Sequence, residues 1–225
     1  MFKTTRMGII EEYRWDDETC EKLSEKGKLD LLRYSYENGC HWDHYTCSNA
    51  SNYGHLECLK YAHENGCNLD QWTVYYAASR GHLECLRYAH ENGCHWDNYV
   101  CLYASGGGQL ECLKYLHENG CPWDKDTCTV ASRGGHLECL RYAHENGCTW
   151  DEHTCADASE RGHLACLKYA HENGCLWNEW TCSNAMSCGQ LECLKYAHDR
   201  GCPIDTVYCL RNALGECKKY LESLQ

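Results

Sequence analysis

The sequence lacks a long apolar run and an excess of basic residues. Its 225 residues contain no stretch of the roughly 18 consecutive apolar residues that a membrane-spanning helix needs, and the opening MFKTTRMGIIEEYRW has no apolar segment suited to a signal peptide. The 33 acidic side chains outnumber the 21 basic ones, giving a formal net charge of −12. A surface of that sign repels phosphate backbones and anionic membranes. We therefore expect a cytoplasmic protein that binds neither nucleic acid nor membranes.

The chain is built from a repeat of fixed length. The stretch GHLECLKYAHENGC at Gly54 returns as GHLECLRYAHENGC at Gly81, and with small changes further along. Successive opening glycines are 27 residues apart (81 − 54 = 27), which holds for Gly54, Gly81, Gly108, Gly135, Gly162 and Gly189. A constant period of this size is typical of stacked repeat proteins, in which one unit cannot bury its apolar face without neighbours.

The first half of each repeat is predicted to be a helix. In the unit that ends at Cys67, Asp43 is placed to cap a helix that begins at His44 and ends near Gly54. Cys47 and Ala50 fall on one side of this helix. A small side chain at the alanine position lets a second helix approach closely.

The second half is predicted to be a helix from about residue 55 to residue 64, closed by a left-handed turn at Asn65 and Gly66. Its apolar side chains sweep a wide arc, which leaves only a narrow polar stripe at Glu57, Lys60 and Glu64. A helix with so wide an apolar arc contacts its own partner and the helices before and after it. The arc consists of Leu56, Cys58, Leu59, Tyr61 and Ala62.

Cysteine is abundant, with 22 residues, and all but Cys188 fall in three columns of the repeat, represented by Cys47, Cys58 and Cys67. Equivalent residues of adjacent repeats should lie about 8 to 10 Å apart, beyond the roughly 7 Å limit on the Cα separation in a disulfide. Bridges within a column are therefore disfavoured. We expect free thiols that behave as small buried apolar groups, which suits a reducing compartment.

Tryptophan also recurs in one column, near the end of each repeat. We expect these rings to form a ladder of stacked rings between repeats, because burial of aromatic area is stabilising. The column consists of Trp15, Trp42, Trp96, Trp123, Trp150 and Trp177.

The repeat resembles the ankyrin repeat. Cys47 and Ala50 resemble the Leu and Ala of the first ankyrin helix, Gly54 and His55 match its Gly-His, and the 65–67 stretch matches its terminal Gly-Ala. The resemblance covers about residues 15 to 221, and the motif recurs in register. The repeats are similar to the short, cysteine-rich ankyrin-like repeats found in giant DNA viruses and some single-celled eukaryotes.

The resemblance implies an all-α solenoid of helix-turn-helix repeats. We expect a leader over residues 1–14 and one ankyrin-like domain over 15–225, with eight helical pairs of which the first and last act as caps. An ankyrin unit has about 33 residues, so about six are missing here, at the position of the β-hairpin finger. The resemblance implies protein binding, although not by finger tips.

The repeated His55, Cys58, His63 and Cys67 could suggest a zinc site. Cys58 and His63 lie about 140° apart on the helix, however, and glutamine replaces the first histidine at positions 109 and 190. We expect His55 to hydrogen-bond backbone instead, and we expect no metal or cofactor. No asymmetric Cys and His arrangement suited to catalysis stands out, so we expect no enzyme.

Comparison of the repeats with one another shows which face varies. The first helix changes at the positions of residues 44, 45, 48, 49, 52 and 53, within an arc of roughly 180°. Aromatic residues cluster there in the second to fourth repeats, and acidic residues Asp126, Glu152, Asp157 and Glu160 follow. Tyr and Trp are enriched at interface hot spots. The candidate partner-binding residues are Tyr45, Asn49, Trp72, Tyr76, Tyr99, Tyr103, Asp126, Asp157 and Trp180.

The sequence therefore predicts a non-enzymatic scaffold or adaptor that binds a protein partner through the variable face of its first helices. Two other functions stay open: a structural subunit of a larger complex, and a thiol- or metal-binding protein. Some of the aromatic rings could instead only cover the contact between repeats.

Overall fold

The computed structural model describes residues 19–42, 45–204 and 211–223, and over these ranges the chain forms helices joined by short turns, without strands. The residues group into two compact units. The first runs to Ala77 and includes His82–His95, and the second comprises Ala78–Gly81 and the chain from Trp96 onward. The predicted all-α class of helix-turn-helix repeats is confirmed.

The first unit is a stack of helix pairs. Its helices are α1 (Thr19–Glu25), α2 (Leu29–Glu37), α3 (Thr46–Asn52), α4 (Leu56–Glu64), the greater part of α5 (Gln71–Arg80), and α6 (Leu83–Glu91). Helix α1 packs on α3, α2 packs on α4, and α4 packs on α6. First helices therefore form one layer and second helices another.

The second unit repeats this arrangement. First helices α7, α9, α11 and α13 pack in sequence on one another, and second helices α8, α10, α12, α14 and α15 do the same. The bounds are α7 (Asn98–Gly106), α8 (Leu110–Glu118), α9 (Lys125–Gly134), α10 (Leu137–Glu145), α11 (Glu152–Arg161), α12 (Leu164–Glu172), α13 (Glu179–Ser187), α14 (Leu191–Asp199) and α15 (Gly215–Glu222).

Several predicted features lie outside the described residues. They are the leader, Trp15, the cap Asp43 with His44, and the start of the eighth repeat at 205–210. Seven helix pairs are complete in the described ranges, and α15 occupies the place of the second helix of an eighth.

A carboxylate or amide caps the first helix of later repeats, as predicted. The side chain of Asp124 accepts a hydrogen bond from the backbone N–H of Asp126 at 3.0 Å, and that of Asp151 accepts from the N–H of His153 at 3.1 Å. Asn178 substitutes for the acid ahead of α13 and accepts from the N–H of Trp180. Each cap satisfies an amide that the first turn of a helix leaves free.

The second helix ends in the predicted left-handed turn. Gly66 has a φ of 94°, and the N–H of Cys67 donates to the carbonyl of Ala62 at 2.9 Å. The N–H of Gly66 donates to the carbonyl of His63 at 3.0 Å. This pair of bonds closes the helix as a Schellman motif, which satisfies carbonyls that the last turn leaves without partners.

The histidine that precedes several second helices hydrogen-bonds backbone, as predicted. The Nε2–H of His55 donates to the carbonyl of Glu25 at 3.1 Å, and that of His136 donates to the carbonyl of Gly106 at 3.1 Å. Each acceptor lies in the preceding repeat. The imidazole therefore links one repeat to the one before it.

The core between the two helix layers is lined by leucine, alanine and cysteine. Leu59, Ala62, Cys47 and Ala50 have no exposed surface. Burial raises the pKa of Cys58 to about 11, so this thiol stays protonated. The apolar arc is narrower than the sequence suggested, because Leu56 and Tyr61 are only half-buried.

The tryptophan rings are arranged differently from the predicted ladder. Trp150 stacks on His144 of its own repeat, with ring centroids 3.6 Å apart and an interplanar angle of 11°. Tyr169 of the next repeat meets Trp150 edge-on at 6.1 Å, and its hydroxyl lies 3.1 Å from Nδ1 of His144. The prediction of stacking between repeats was wrong because a repeat spacing of roughly 8 to 10 Å is too wide for two rings in contact. Tyrosine fills that space.

The stacked histidines should make the stability of the protein depend on pH. Burial lowers the pKa of His144 and of His171, which stacks on Trp177, although each has a neighbouring glutamate that acts in the opposite direction. A histidine whose pKa is depressed on folding contributes stability that is present above the unfolded value of about 6.5 and lost as the pH falls through the folded value.

We therefore expect the melting temperature to fall between pH 7.5 and pH 5.5, and to fall less in a His144→Gln variant, measured by circular dichroism. Lys60→Gln, an exposed substitution, serves as the control. A melting temperature that does not change over this range would contradict the expectation.

Two glycines of one repeat differ in what surrounds them. Gly135 and Gly147 both have positive φ, at 74° and 88°. A Cβ at Gly135 would lie 2.5 Å from Nδ1 of His163, whereas a Cβ at Gly147 would meet nothing within 4 Å.

We expect Gly147→Ala to lower the free energy of unfolding by about 1 kcal/mol, through backbone strain alone. Gly135→Ala should lower it by at least about 1 kcal/mol more, because it also displaces the histidine. Urea denaturation of both variants measures the difference. Equal losses would show that the histidine contact does not restrict this position.

Candidate partner-binding surface

Exposed aromatic side chains are concentrated on the first helices and the turns that begin them. In the first unit, Tyr45 is 48% exposed and Trp72 is 41% exposed. In the second unit, Tyr99 is 54% exposed and Trp180 is 50% exposed, and Tyr103 is also exposed. Tyrosines of the second helices, such as Tyr61, are half-buried against their neighbours. The first helices thus present the large apolar groups to solvent.

Trp72 is held in a small aromatic cluster at the start of α5. Its ring lies 5.8 Å from the ring of Tyr76 at an angle of 29°, and it meets Tyr75 edge-on at 5.6 Å. Tyr75 is buried and Tyr76 is half-buried. The indole is therefore supported from beneath while its outer side faces solvent, which reduces the entropy lost when such a ring is covered.

Two polar positions of the predicted variable face point inward or are already engaged. Ser48 is fully buried, and its hydroxyl donates to the carbonyl of Tyr45 at 3.1 Å. Asn49 is half-buried, and its Nδ2 donates to Oε1 of Glu21 on α1 at 2.9 Å. The exposed part of the first helix is therefore narrower than the predicted half-circle, since Ser48 belongs to the packed side.

The second unit has its own aromatic groups. Tyr99 and Tyr103 lie one turn apart on α7. Trp180, at the start of α13, lies against His153 of α11, with ring centroids 5.7 Å apart and an angle of 36°. Helices α11 and α13 pack side by side, so this pair spans two neighbouring repeats.

Two of the four acidic residues found on the variable face are paired with arginines. Asp157 is buried, and its Oδ2 lies 2.7 Å from Nη2 of Arg133. Glu160 pairs with Arg161 at 3.4 Å. Asp126 is exposed. Asp157 acts as a link between α9 and α11.

The features that sequence reasoning missed include the exposed Leu176 and the ion pair of Lys125 with Asp151. Leu176 is 79% exposed in the turn before Trp177, where other repeats have His95, Pro122 or Thr149. That departure was a usable signal. Lys125 Nζ lies 2.6 Å from Oδ2 of Asp151, the cap of the next repeat, and nothing in the sequence pattern indicated it.

Two other features were looked for in the described residues: a metal site and a membrane-spanning helix. Within the described residues, no group of three or more His, Cys, Asp or Glu side chains is arranged to hold a metal ion. No helix in the same ranges is long and apolar enough to cross a membrane.

Comparison with known proteins agrees with the geometry. Residues 44–127 match the family model described as ankyrin repeats (3 copies). The crystal structure of the human ASB11 ankyrin repeat domain superposes with a TM-score of 0.61 at 17% sequence identity, covering 70% of this chain and 84% of that chain. No curated protein matches the sequence. The predicted ankyrin-like repeats are confirmed, in the sequence of the matched segment and in the fold.

Two acidic candidate residues differ in their surroundings: Asp157 is buried in a contact between helices, whereas Asp126 is exposed. We expect Asp157→Ala to lower the free energy of unfolding by about 1 kcal/mol, because it leaves a partly buried contact between α9 and α11 without its carboxylate. Asp126→Ala should change it by less than about 0.5 kcal/mol. Urea denaturation compares the two. Equal effects would mean that the pair with Arg133 contributes nothing measurable.

Proposed function

We propose that the protein is a non-enzymatic scaffold that binds a partner protein through exposed aromatic residues of its first helices. The observation that carries the proposal is the exposure of Trp72 beside Tyr76, on a helix whose other side is packed. Tyr45 of the first unit, and Tyr99, Tyr103 and Trp180 of the second, support it.

Physical reasoning favours these rings as contact residues. Tyrosine and tryptophan supply large contact areas with few rotatable bonds, and they are enriched among residues that contribute most to binding. Ankyrin repeats as a class mediate protein–protein interaction. The roles of individual residues rest on exposure and chemistry.

The polar candidate residues have secondary roles in the proposed binding surface. Asp126 is free to contact a partner because it is exposed, and we assign it to the rim of the surface. Asn49 and Asp157 are already engaged by Glu21 and Arg133. They orient neighbouring helices rather than the partner.

The proposed setting is the reducing interior of a cell. The described cysteines of the three columns are buried and form no disulfides, as expected for cysteines that serve as apolar core groups. The partner itself is to be identified by affinity capture from the source cell.

Two double variants test the surface, one in each unit: Trp72→Ala with Tyr76→Ala, and Tyr99→Ala with Tyr103→Ala. The matched control is Glu57→Ala with Glu84→Ala, on exposed positions of second helices. We expect at least one aromatic variant to retain about tenfold less partner in quantitative affinity capture, with the control unchanged.

Melting temperatures of all variants are measured alongside. Reduced melting temperature with unchanged capture would show that the rings only cover the contact between repeats.

A further inference from the structure

In five of the described repeats, two cysteines that are 20 residues apart in sequence (40 − 20 = 20) lie side by side. The first lies on the first helix and the second follows the end of the second helix, as at Cys20 and Cys40. The thiol of Cys20 donates to Sγ of Cys40 across 2.9 Å. Bridges between equivalent cysteines of neighbouring repeats are disfavoured, but cysteines of the first and third columns meet within one repeat.

The same contact recurs along the second unit. Sγ of Cys128 lies 4.0 Å from the backbone carbonyl oxygen of Cys148, and Sγ of Cys101 lies 4.0 Å from that of Cys121. The interaction between the two side chains also raises the pKa of Cys155, beside Cys175, and lowers the pKa of Cys202, beside Cys182.

In the four pairs of the second unit, the residue that caps the first helix holds the second cysteine in place. Sγ of Cys148 lies 3.0 Å from the carbonyl oxygen of Asp124, the capping residue one turn before Cys128. The backbone N–H of Cys148 donates to the carbonyl of Ala143 at 2.9 Å. Both the cap and the end of the second helix thus direct this thiol at the first helix.

We propose that the paired cysteines of each repeat are dithiol sites, which a small-molecule disulfide such as glutathione disulfide converts reversibly to disulfides within the repeat. For Cys20 and Cys40, the sulfur atoms must approach by about 0.9 Å, from 2.9 Å to a bond length of about 2.0 Å. This inference is independent of the partner-binding proposal.

The reaction proceeds by two exchanges. The thiolate of Cys148 attacks one sulfur of glutathione disulfide, which forms a mixed disulfide and releases one glutathione thiolate. The sulfur of Cys128 then attacks Sγ of Cys148, which releases the second glutathione. The two protein thiols lose two electrons, glutathione disulfide gains them, and the two thiol protons end on the two glutathiones.

The chain contains a natural control. In the third repeat, Val74 occupies the position of the first-helix cysteine, so Cys94 lacks this thiol partner. Its Sγ still lies 3.1 Å from the carbonyl oxygen of Asp70, the contact that holds the equivalent cysteines in other repeats. Burial raises the pKa of Cys94 to about 11. The hydrogen bond from Cys128 holds the pKa of Cys148 below its ordinary value. At Cys148, the neighbouring thiol therefore favours the thiolate, which is the form that attacks a disulfide.

The test treats the folded, reduced protein with glutathione disulfide, followed by acid quenching, alkylation, digestion and mass spectrometry. We expect linkages Cys20–Cys40, Cys101–Cys121, Cys128–Cys148, Cys155–Cys175 and Cys182–Cys202. Cys94 should stay unlinked, and the exposed Cys188 should be glutathionylated, which shows that the reagent is active. The melting temperature should rise by at least about 5 °C, because each bridge closes a loop in the unfolded chain.

Matched variants make the outcome decisive. Cys128→Val copies the natural Val74 and should remove only the Cys128–Cys148 linkage. Cys139→Ala changes a cysteine of the second column, which belongs to none of the five expected linkages, and should leave all of them in place. The proposal is overturned if Cys188 reacts while the pairs stay reduced in the folded protein. It is equally overturned if the linkages join different repeats.

Discussion

The stack depends on a hydrogen bond that each linking histidine makes to the repeat before its own. The Nε2–H of His55 reaches the carbonyl of Glu25, and that of His136 reaches Gly106, both at 3.1 Å. The imidazole lies where a Cβ at the preceding repeat's turn would stand, so that position is glycine, with a positive φ. One interaction therefore fixes the residue types at two positions 28 residues apart (55 − 27 = 28). Gln109 instead donates to the carbonyl of Gly107 in its own turn, at 2.8 Å.

Neighbouring repeats of each unit pack through the inner sides of both helices, which leaves the outer sides of the first helices free to vary. Their inner sides are constrained by Cys47, Ala50 and equivalent residues, which are fully buried. Their outer sides differ from repeat to repeat and carry the exposed tyrosines and tryptophans. Packing and variation fall on different faces because a second helix contacts helices on several sides, whereas the outer side of a first helix meets solvent. Recognition and stacking thus use different residues of the same repeat.

Much of this arrangement could be predicted from the sequence, because a period that recurs in register averages out local ambiguity. Helix limits, the Asn-Gly stop and the backbone role of His55 all follow from patterns within one repeat. Contacts between columns could not be predicted in the same way. The stacking of Trp150 on His144 and the pair of Arg133 with Asp157 depend on the rotation of one repeat against the next, and the meeting of Cys20 with Cys40 depends on how the repeat closes on itself. Comparison of columns one at a time does not contain that information.

The linkage shared by the repeats that carry the histidine also bears on how the gene could change in length. Within the second unit, His136 and His163 occupy equivalent places, each before a helix of the same sequence pattern. Loss of residues 136–162 by unequal recombination would bring His163 to the carbonyl of Gly106, in the place that His136 leaves, with a matching glycine before it. Duplication would add one more such joint. An array of this kind can gain or lose whole repeats while the hydrogen bond between the remaining repeats is kept. A change in repeat number therefore disturbs the structure much less than most insertions in a globular domain do.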